Sequence, residues 1–221
     1  MKIIMINGSH RKNGATATIL NEIYSCLKKY TEVEINMVHV ADLDLKYCIG
    51  CCTCYKTGEC IYRDDAEMLS KEIESADGIV LGTPTYACNV SGQMKTVIDR
   101  GHFVIEQLLR GKYAMSVVTY ENYGGKTVGR ILNNLFSYSG AQISGTIICK
   151  TDFEDNPSDN PIFVKKVQRK AERLYKDICS EKRYIWQSLR QNIVFYIGIR
   201  PFVMRKGDNY RGVVGRWNNC K

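Results

Sequence analysis

Several absences narrow this 221-residue chain before any motif is read. It has three histidines, no Ser-His-Asp pattern and no convincing pair of carboxylates, so little is asked of side chains as nucleophiles or general acids and bases. The glycine-bearing segment after the first apolar run lacks Gly-Lys-Ser/Thr and also lacks G-x-G-x-x-G, which argues against a nucleoside triphosphate or a Rossmann dinucleotide. No internal repeat or low-complexity tract is present. Long hydrophobic runs are missing from the last forty residues, where the longest uncharged stretch, Gln191 to Ile199, is nine residues and cannot span a bilayer. The opening Met-Lys-Ile-Ile-Met-Ile-Asn-Gly carries no charged leader, apolar h-region or small-residue cleavage site. The expectation is therefore a cytoplasmic protein whose thiols stay reduced.

Cysteine, by contrast, is plentiful and clustered. Five of the ten fall in Cys48-Ile-Gly-Cys51-Cys52-Thr-Cys54-Tyr-Lys-Thr-Gly-Glu-Cys60. Read as C-x2-C-x2-C-x5-C, residues Cys48, Cys51, Cys54 and Cys60 put four thiolates on one short loop, the ligand number and type of an iron-sulfur cluster. Cys52 is then the spare thiol. Zinc ribbons join two knuckles across a dozen or more residues, so the run is compact for zinc, and a disulfide framework suits a reducing compartment less well still. Cys26, Cys149 and Cys179 sit in periodic apolar segments and read as small buried hydrophobes. Cys88 reads as packing near a loop, and Cys220 as exposed.

The net charge of +8 is a property of the tail. From Glu181 to Lys221 nine Lys and Arg face two acids, leaving +1 for the first 180 residues. Residues 1–180 thus form a nearly neutral domain, and 181–221 a basic, apolar extension. The first reading of that extension is a wrap on the core or on a partner subunit; a membrane-surface element and a nucleic-acid contact come after it.

Within the first 180 residues strands and helices alternate. Strands are expected at Lys2–Ile6, Val33–Val40 (a half-exposed edge), Gly78–Gly82, Tyr113–Thr119 and Gln142–Cys149. Helices are expected at Ala15–Tyr30, Asp64–Ala76, Ser91–Leu109, Lys126–Ser139 and Pro161–Cys179. Five strands in this pattern imply a parallel sheet with helices on both faces, so ligands belong beyond the strands' carboxyl ends. The first loop there, Asn7 to Thr16, offers hydroxyls, an Arg and a helix N-terminus to a phosphate, or is an ordinary capped turn. The second, Thr83 to Gly92, pairs a stiff Pro with an aromatic and could border a flat ring. The third, Thr119 to Lys126, has Gly124-Gly125 for close approach or merely for a turn. Asp64-Asp65 reads as a cap for the next helix.

The combination of Gly8-Ser9-x-Arg11-x-x-Gly14-x-Thr16, the Cys48 to Cys60 run with Asp64-Asp65, and Pro84-x-Tyr86 with Ser91-Gly92-x-Met94-Lys95-x-x-Ile98-Asp99-Arg100 resembles the NAD(P)H-dependent FMN reductases, and within them the iron-sulfur flavoproteins. The resemblance covers residues 1 to about 180. It implies an α/β, flavodoxin-like three-layer sandwich, with a five-stranded parallel sheet in the order 2-1-3-4-5 and FMN at its carboxyl edge. By the match of positions, Ser9, Arg11, Asn13, Ala15 and Thr16 would hold the phosphate. Pro84, Thr85, Tyr86, Asn89 and Val90 would border the ring system, and Thr119, Gly124 and Gly125 would close the other side. A [4Fe-4S] cluster would sit on the four cysteines. Two departures are His10, where the family commonly has Pro, and the extra Cys52. The implied partners are NAD(P)H or ferredoxin as donor, a small-molecule or protein acceptor and further copies of the chain as a homodimer or homotetramer; nucleic acid is not expected. A thiol-based redox sensor is the remaining reading.

Overall fold

The computed structural model describes residues 1–152 and 154–219, so the expected exposure of Cys220 lies outside the described residues. Five parallel strands form the sheet: β1 (Lys2–Asn7), β2 (Glu34–His39), β3 (Gly78–Tyr86), β5 (Tyr113–Tyr120) and β6 (Gln142–Lys150), in the order β2-β1-β3-β5-β6. A sixth strand, β4 (Asn89–Val90), is a two-residue antiparallel partner for the end of β3. The helices are α1 (Ala15–Leu27), α2 (Thr53–Thr57), α3 (Asp65–Ser75), α4 (Gly92–Arg100), α5 (Gly125–Tyr138) and α6 (Pro161–Cys179) in the first 180 residues. They are followed by α7 (Ile185–Ile193), α8 (Arg200–Lys206) and α9 (Arg211–Asn219), with a π-helical segment, Val194–Ile199, joining α7 to α8.

Alternation along the strands builds the two cores. Ile3, Met5, Val80, Met115 and Val117 face α1 and α6, whereas Ile4, Ile6, Ile79, Leu81, Ala114 and Val118 face α3, α4 and α5. The edge strand β2 is buried only in part along nearly its whole length, as expected for an edge. Cys26 and Cys149 are buried, but Cys179 is exposed, because it is the last residue of α6, where the helix runs out into solvent.

The largest departure from the sequence reading is α4, which ends at Arg100 rather than continuing to Leu109. Apolar spacing persists through Val104 and Leu108, but the backbone does not follow it. Gly101 packs so closely on the Phe103 ring and the Val97 carbonyl that a Cβ would overlap both, and His102 then takes a positive φ of 54°. The strand β3 runs four residues beyond Gly82, and its hairpin to β4 is made by Ala87 and Cys88, both with positive φ.

The extension packs along β6 and then across the cysteine loop. The Gln187 side-chain amide pairs with the edge strand as a backbone would: Ile143 N donates to its Oε1 (2.7 Å), and its Nε2 donates to Ile143 O (3.2 Å). Gln191 Nε2 adds a bond to Ala141 O (2.6 Å). Farther on, Phe195, Ile199, Val203 and Val213 form a third apolar cluster that takes in Tyr55 and Trp217. Among the described residues no helix is long and apolar enough to cross a membrane. Because Phe103 is buried against it, Gly101→Ala is expected to lower stability by about 1–3 kcal/mol through overpacking, measured by urea denaturation.

Candidate functional site

At the carboxyl edge of the sheet the loops after β1, β3, β5 and β6 surround a cleft of about 280 Å3. Ser9, Arg11, Gly14, Ala15 and Thr16 line it from the first loop, Pro84, Thr85 and Tyr86 from the second, and Thr119, Tyr120 and Glu121 from the third; Thr151 and Asp152 complete it. The N-cap of α1 is Gly14, and among the described residues no side chain caps the N–H groups of its first turn, which border the opening at the positive end of the helix dipole. The loop is held from beneath. Gly8 N donates to Gly82 O (2.8 Å), Ser9 N donates to Asn7 Oδ1 (3.0 Å) and Arg11 N to Ser9 Oγ (3.2 Å). Ser91 Oγ donates to Gly8 O (2.5 Å) while accepting from Met94 N at the head of α4 (3.1 Å). Thr16 and Thr119 join the two sides through their hydroxyls, 2.8 Å apart.

Two features of this cleft ask for an occupant. Thr85 Oγ1 is buried with no hydrogen-bond partner among the described residues, a rare and costly state for a hydroxyl. Tyr86 beside it is 54% exposed, an open aromatic surface. A phosphate-bearing molecule with a flat polar ring fits both the helix end and this wall. Of the other residues matched to the family, Asn13 borders an adjoining opening with Glu154 and Asp155. Asn89 and Val90 form β4 behind the wall, and Gly124, at φ 90°, packs against Cys88 and Thr85 where a Cβ would come within 3.1 Å. Gly125 lies under the Tyr120 ring. Gly14, Tyr120 and Glu121 belong to the two loops singled out in the sequence without being assigned a contact there, whereas Thr151 and Asp152 lie outside them, although the carboxyl-edge rule applies to β6 as to the other strands.

A second cleft, of about 260 Å3, has all five clustered cysteines on its wall. Among the described residues no three His, Cys, Asp or Glu side chains are drawn close enough to hold a metal ion, so the thiols share a wall without meeting at a point. Their donor chemistry nonetheless suits an iron-sulfur cluster, and Cys52 stands apart: it takes φ 58° at the head of α2 and donates to Gly50 O (3.4 Å). Thr53, through its hydroxyl and its N–H, holds the Cys51 thiol below its ordinary pKa.

Buried charge borders the same wall. Arg100 donates through Nη2 to Cys60 Sγ (3.4 Å), grips Asp64 bidentately (2.8 Å and 2.8 Å) and donates to Lys46 O (2.6 Å). Asp64 also caps α3 by accepting from Ala66 N, and accepts from Lys46 N (3.0 Å). Burial raises the Asp64 carboxyl, but Arg100 and these two N–H groups outweigh it and hold the pKa below the usual carboxylate range. His102 lies beyond, facing Glu106 and Cys54. Burial pulls its pKa down, whereas Cys54 and Glu106 together push it up to about 10. Burial acts in the opposite direction on the neutral acid Tyr55, inside the motif, and pushes it up to about 12.

A family model described as NADPH-dependent FMN reductase matches residues 1–153. The chain belongs to that family. A Clostridioides difficile (strain 630) protein named iron-sulfur flavoprotein is 33% identical over 224 aligned positions, covering 98% of this chain and 97% of the relative. An Archaeoglobus fulgidus protein of the same name is 39% identical over 128 residues, 56% of each chain. Among solved structures, an NADH:FMN oxidoreductase in its apo form aligns with TM-score 0.60 at 17% identity, covering 83% of this chain and 91% of the other. An archaeal flavodoxin aligns with TM-score 0.53 at 13% identity, covering 81% and 99%. At such identities the structures establish the fold, which is the flavodoxin-like three-layer sandwich.

In this FMN reductase family member, Asp64→Ala leaves Arg100 buried and uncompensated. A loss of about 3–5 kcal/mol is expected, with a smaller one for Asp64→Asn, measured by denaturant unfolding at neutral pH. Since the folded carboxyl is depressed, the pair's contribution is present at neutral pH and falls away as pH drops below the ordinary carboxylate range.

Proposed function

We propose that the protein is an FMN-dependent oxidoreductase that takes electrons from NAD(P)H and delivers them to an acceptor, with Cys48, Cys51, Cys54 and Cys60 as ligands of a [4Fe-4S] cluster. The observation that carries the reading is the N-terminus of α1, without a side-chain cap, in one cleft with the orphaned Thr85 hydroxyl, in a fold whose separate second cleft gathers five thiols. FMN, when bound, supplies hydride acceptance with release of single electrons, and a cluster supplies one-electron transfer.

The chain's own part is positioning. The first-turn N–H groups of α1, with Ser9, Arg11, Asn13, Ala15 and Thr16, hold the phosphate. Pro84, Thr85 and Tyr86 border the ring, and Thr119 closes the far side. Asn89, Val90, Gly124 and Gly125 fix the backbone behind them. At the second cleft Arg100 directs an N–H and a positive charge at the Cys60 sulfur. Acceptors in this reading are a quinone, nitro compound, metal, free flavin or protein.

The second reading is an electron carrier fed by ferredoxin, favoured by the name iron-sulfur flavoprotein on the relatives. The third, a thiol-based redox sensor, draws on the exposed Cys52. Assembly into a homodimer or homotetramer is part of the proposal, supported by the outward apolar side chains Ile185, Trp186, Ile197 and Met204 of the extension.

Anaerobic purification with an absorption spectrum and iron and sulfide analysis tests the cofactor reading; flavin bands with about four irons per chain are expected. Flavin without iron would remove the cluster. NADPH or NADH should then bleach the flavin rapidly without oxygen, whereas bleaching by ferredoxin alone would transfer the assignment to the carrier. Thr85→Val is expected to weaken FMN binding by up to about tenfold, read by fluorescence titration, with little change in the stability of the flavin-free protein.

A further inference from the structure

The far end of the chain closes over the thiol cleft. Helix α9 lies across α2, which carries Cys54, and Gly212 meets the Gly58 backbone so closely that a Cβ would overlap its nitrogen. Arg211 Nε donates to Lys56 O (3.3 Å), Arg216 Nη2 donates to Gly58 O (3.0 Å), and Tyr210 stacks on Tyr55 with ring centroids 4.9 Å apart. Trp217 Nε1 donates to Ile105 O (3.1 Å), pinning the helix on its other side.

Arg216 also reaches inward. Its Nε lies 3.0 Å from Oε2 of Glu106, a carboxylate with a side chain only 1% exposed, and Glu106 Oε1 lies 3.2 Å from Nδ1 of His102. The imidazole shares the wall of the thiol cleft with Cys54, which helps to push its pKa up. Among the described residues neither Glu106 oxygen meets full hydrogen-bond geometry, so what compensates this buried carboxylate is the pair of cations flanking it.

We infer that the C-terminal extension is a positioning element of the thiol site, in which docked Arg216, acting through Glu106, fixes the His102 imidazole on Cys54. The geometry accounts for each link. A buried carboxylate held by an ion pair at one oxygen has its other oxygen placed 3.2 Å from Nδ1 of His102, and that oxygen orients a ring on the wall of the thiol cleft, as a carboxylate orients a metal-bound histidine. Of the four motif sulfurs, Cys60 receives an N–H from Arg100 within the core domain, whereas the imidazole beside Cys54 is reached through Glu106 from α9. The redox consequence rests on the cluster reading above: an N–H on a ligating sulfur stabilises the more negative, reduced cluster and raises its potential.

The test uses the full chain with Arg216→Gln, Glu106→Gln, Gly212→Val and Arg216→Lys, with FMN content and the thermal melt as controls for folding. In iron-free, reduced protein, alkylation by iodoacetamide is followed at each cysteine by mass spectrometry at a pH of about 10, where thiolates predominate and rates report access. The first three variants are expected to raise the rate at Cys54 several-fold relative to Cys48 and Cys51, and Arg216→Lys to restore most of the wild-type ratio. In iron-loaded protein, Glu106→Gln and Arg216→Gln should shift the midpoint potential negative and lower iron affinity about tenfold or more. An equal rise at all five cysteines would mean a merely structural tail and overturn the inference, as would unchanged ratios. A wild-type protein that never binds iron would refute the cluster reading, while the alkylation ratios would still decide the positioning role.

Discussion

The parallel sheet is the constraint from which the rest follows. Each crossover must return over a face of the sheet before the next strand begins, so every strand-to-helix loop emerges at the same edge. That geometry brings Ser9, Thr85, Thr119 and Thr151, from four distant stretches of sequence, into one cleft. It also sets the backbone chemistry there, because helices start where strands end and their unpaired N–H groups accumulate. An anion is the natural occupant of such an edge.

The thiol cleft obeys a different logic, since its wall shares no residue with the carboxyl-edge cleft. Helix α4 links them. It is capped by Ser91, whose hydroxyl holds Gly8 beneath the loop between β1 and α1, and its last residue is Arg100, on Cys60 and Asp64. Nine helical residues separate the two ends by about 13 Å along the axis. The helix is therefore a short strut between the two sites, and the glycine that stops it, Gly101, determines where Arg100 and His102 point.

What was legible in the sequence was what depends on local pattern. The five parallel strands, the bounds of α6 and the capping role of Asp64 all follow from periodicity and turn chemistry within a few residues. The five cysteines were equally plain as a cluster. The end of α4 was not, because the apolar spacing through Val104 and Leu108 mimics a continuing helix while the reason for stopping is a contact between Gly101 and Phe103 that no spacing displays. The surroundings of the thiols were hidden for the same reason. Arg100, Glu106 and Arg216 come from separate elements, and nothing in local pattern ties residue 54 to residue 216.

Stability does not explain why Glu106 is buried between His102 and Arg216. Taking a carboxylate and its partners out of water costs several kcal/mol per ion, and apolar side chains of the same volume commonly do as well or better. Nor do the Glu106 oxygens recover that cost through ideal hydrogen bonds. What charges supply and apolar packing does not is direction: a hydrophobic contact is indifferent to ring orientation, whereas a carboxylate oxygen 3.2 Å from one imidazole nitrogen selects which way the other nitrogen faces. The arrangement makes sense where the orientation itself is used, and the ring shares the wall of the thiol cleft with Cys54.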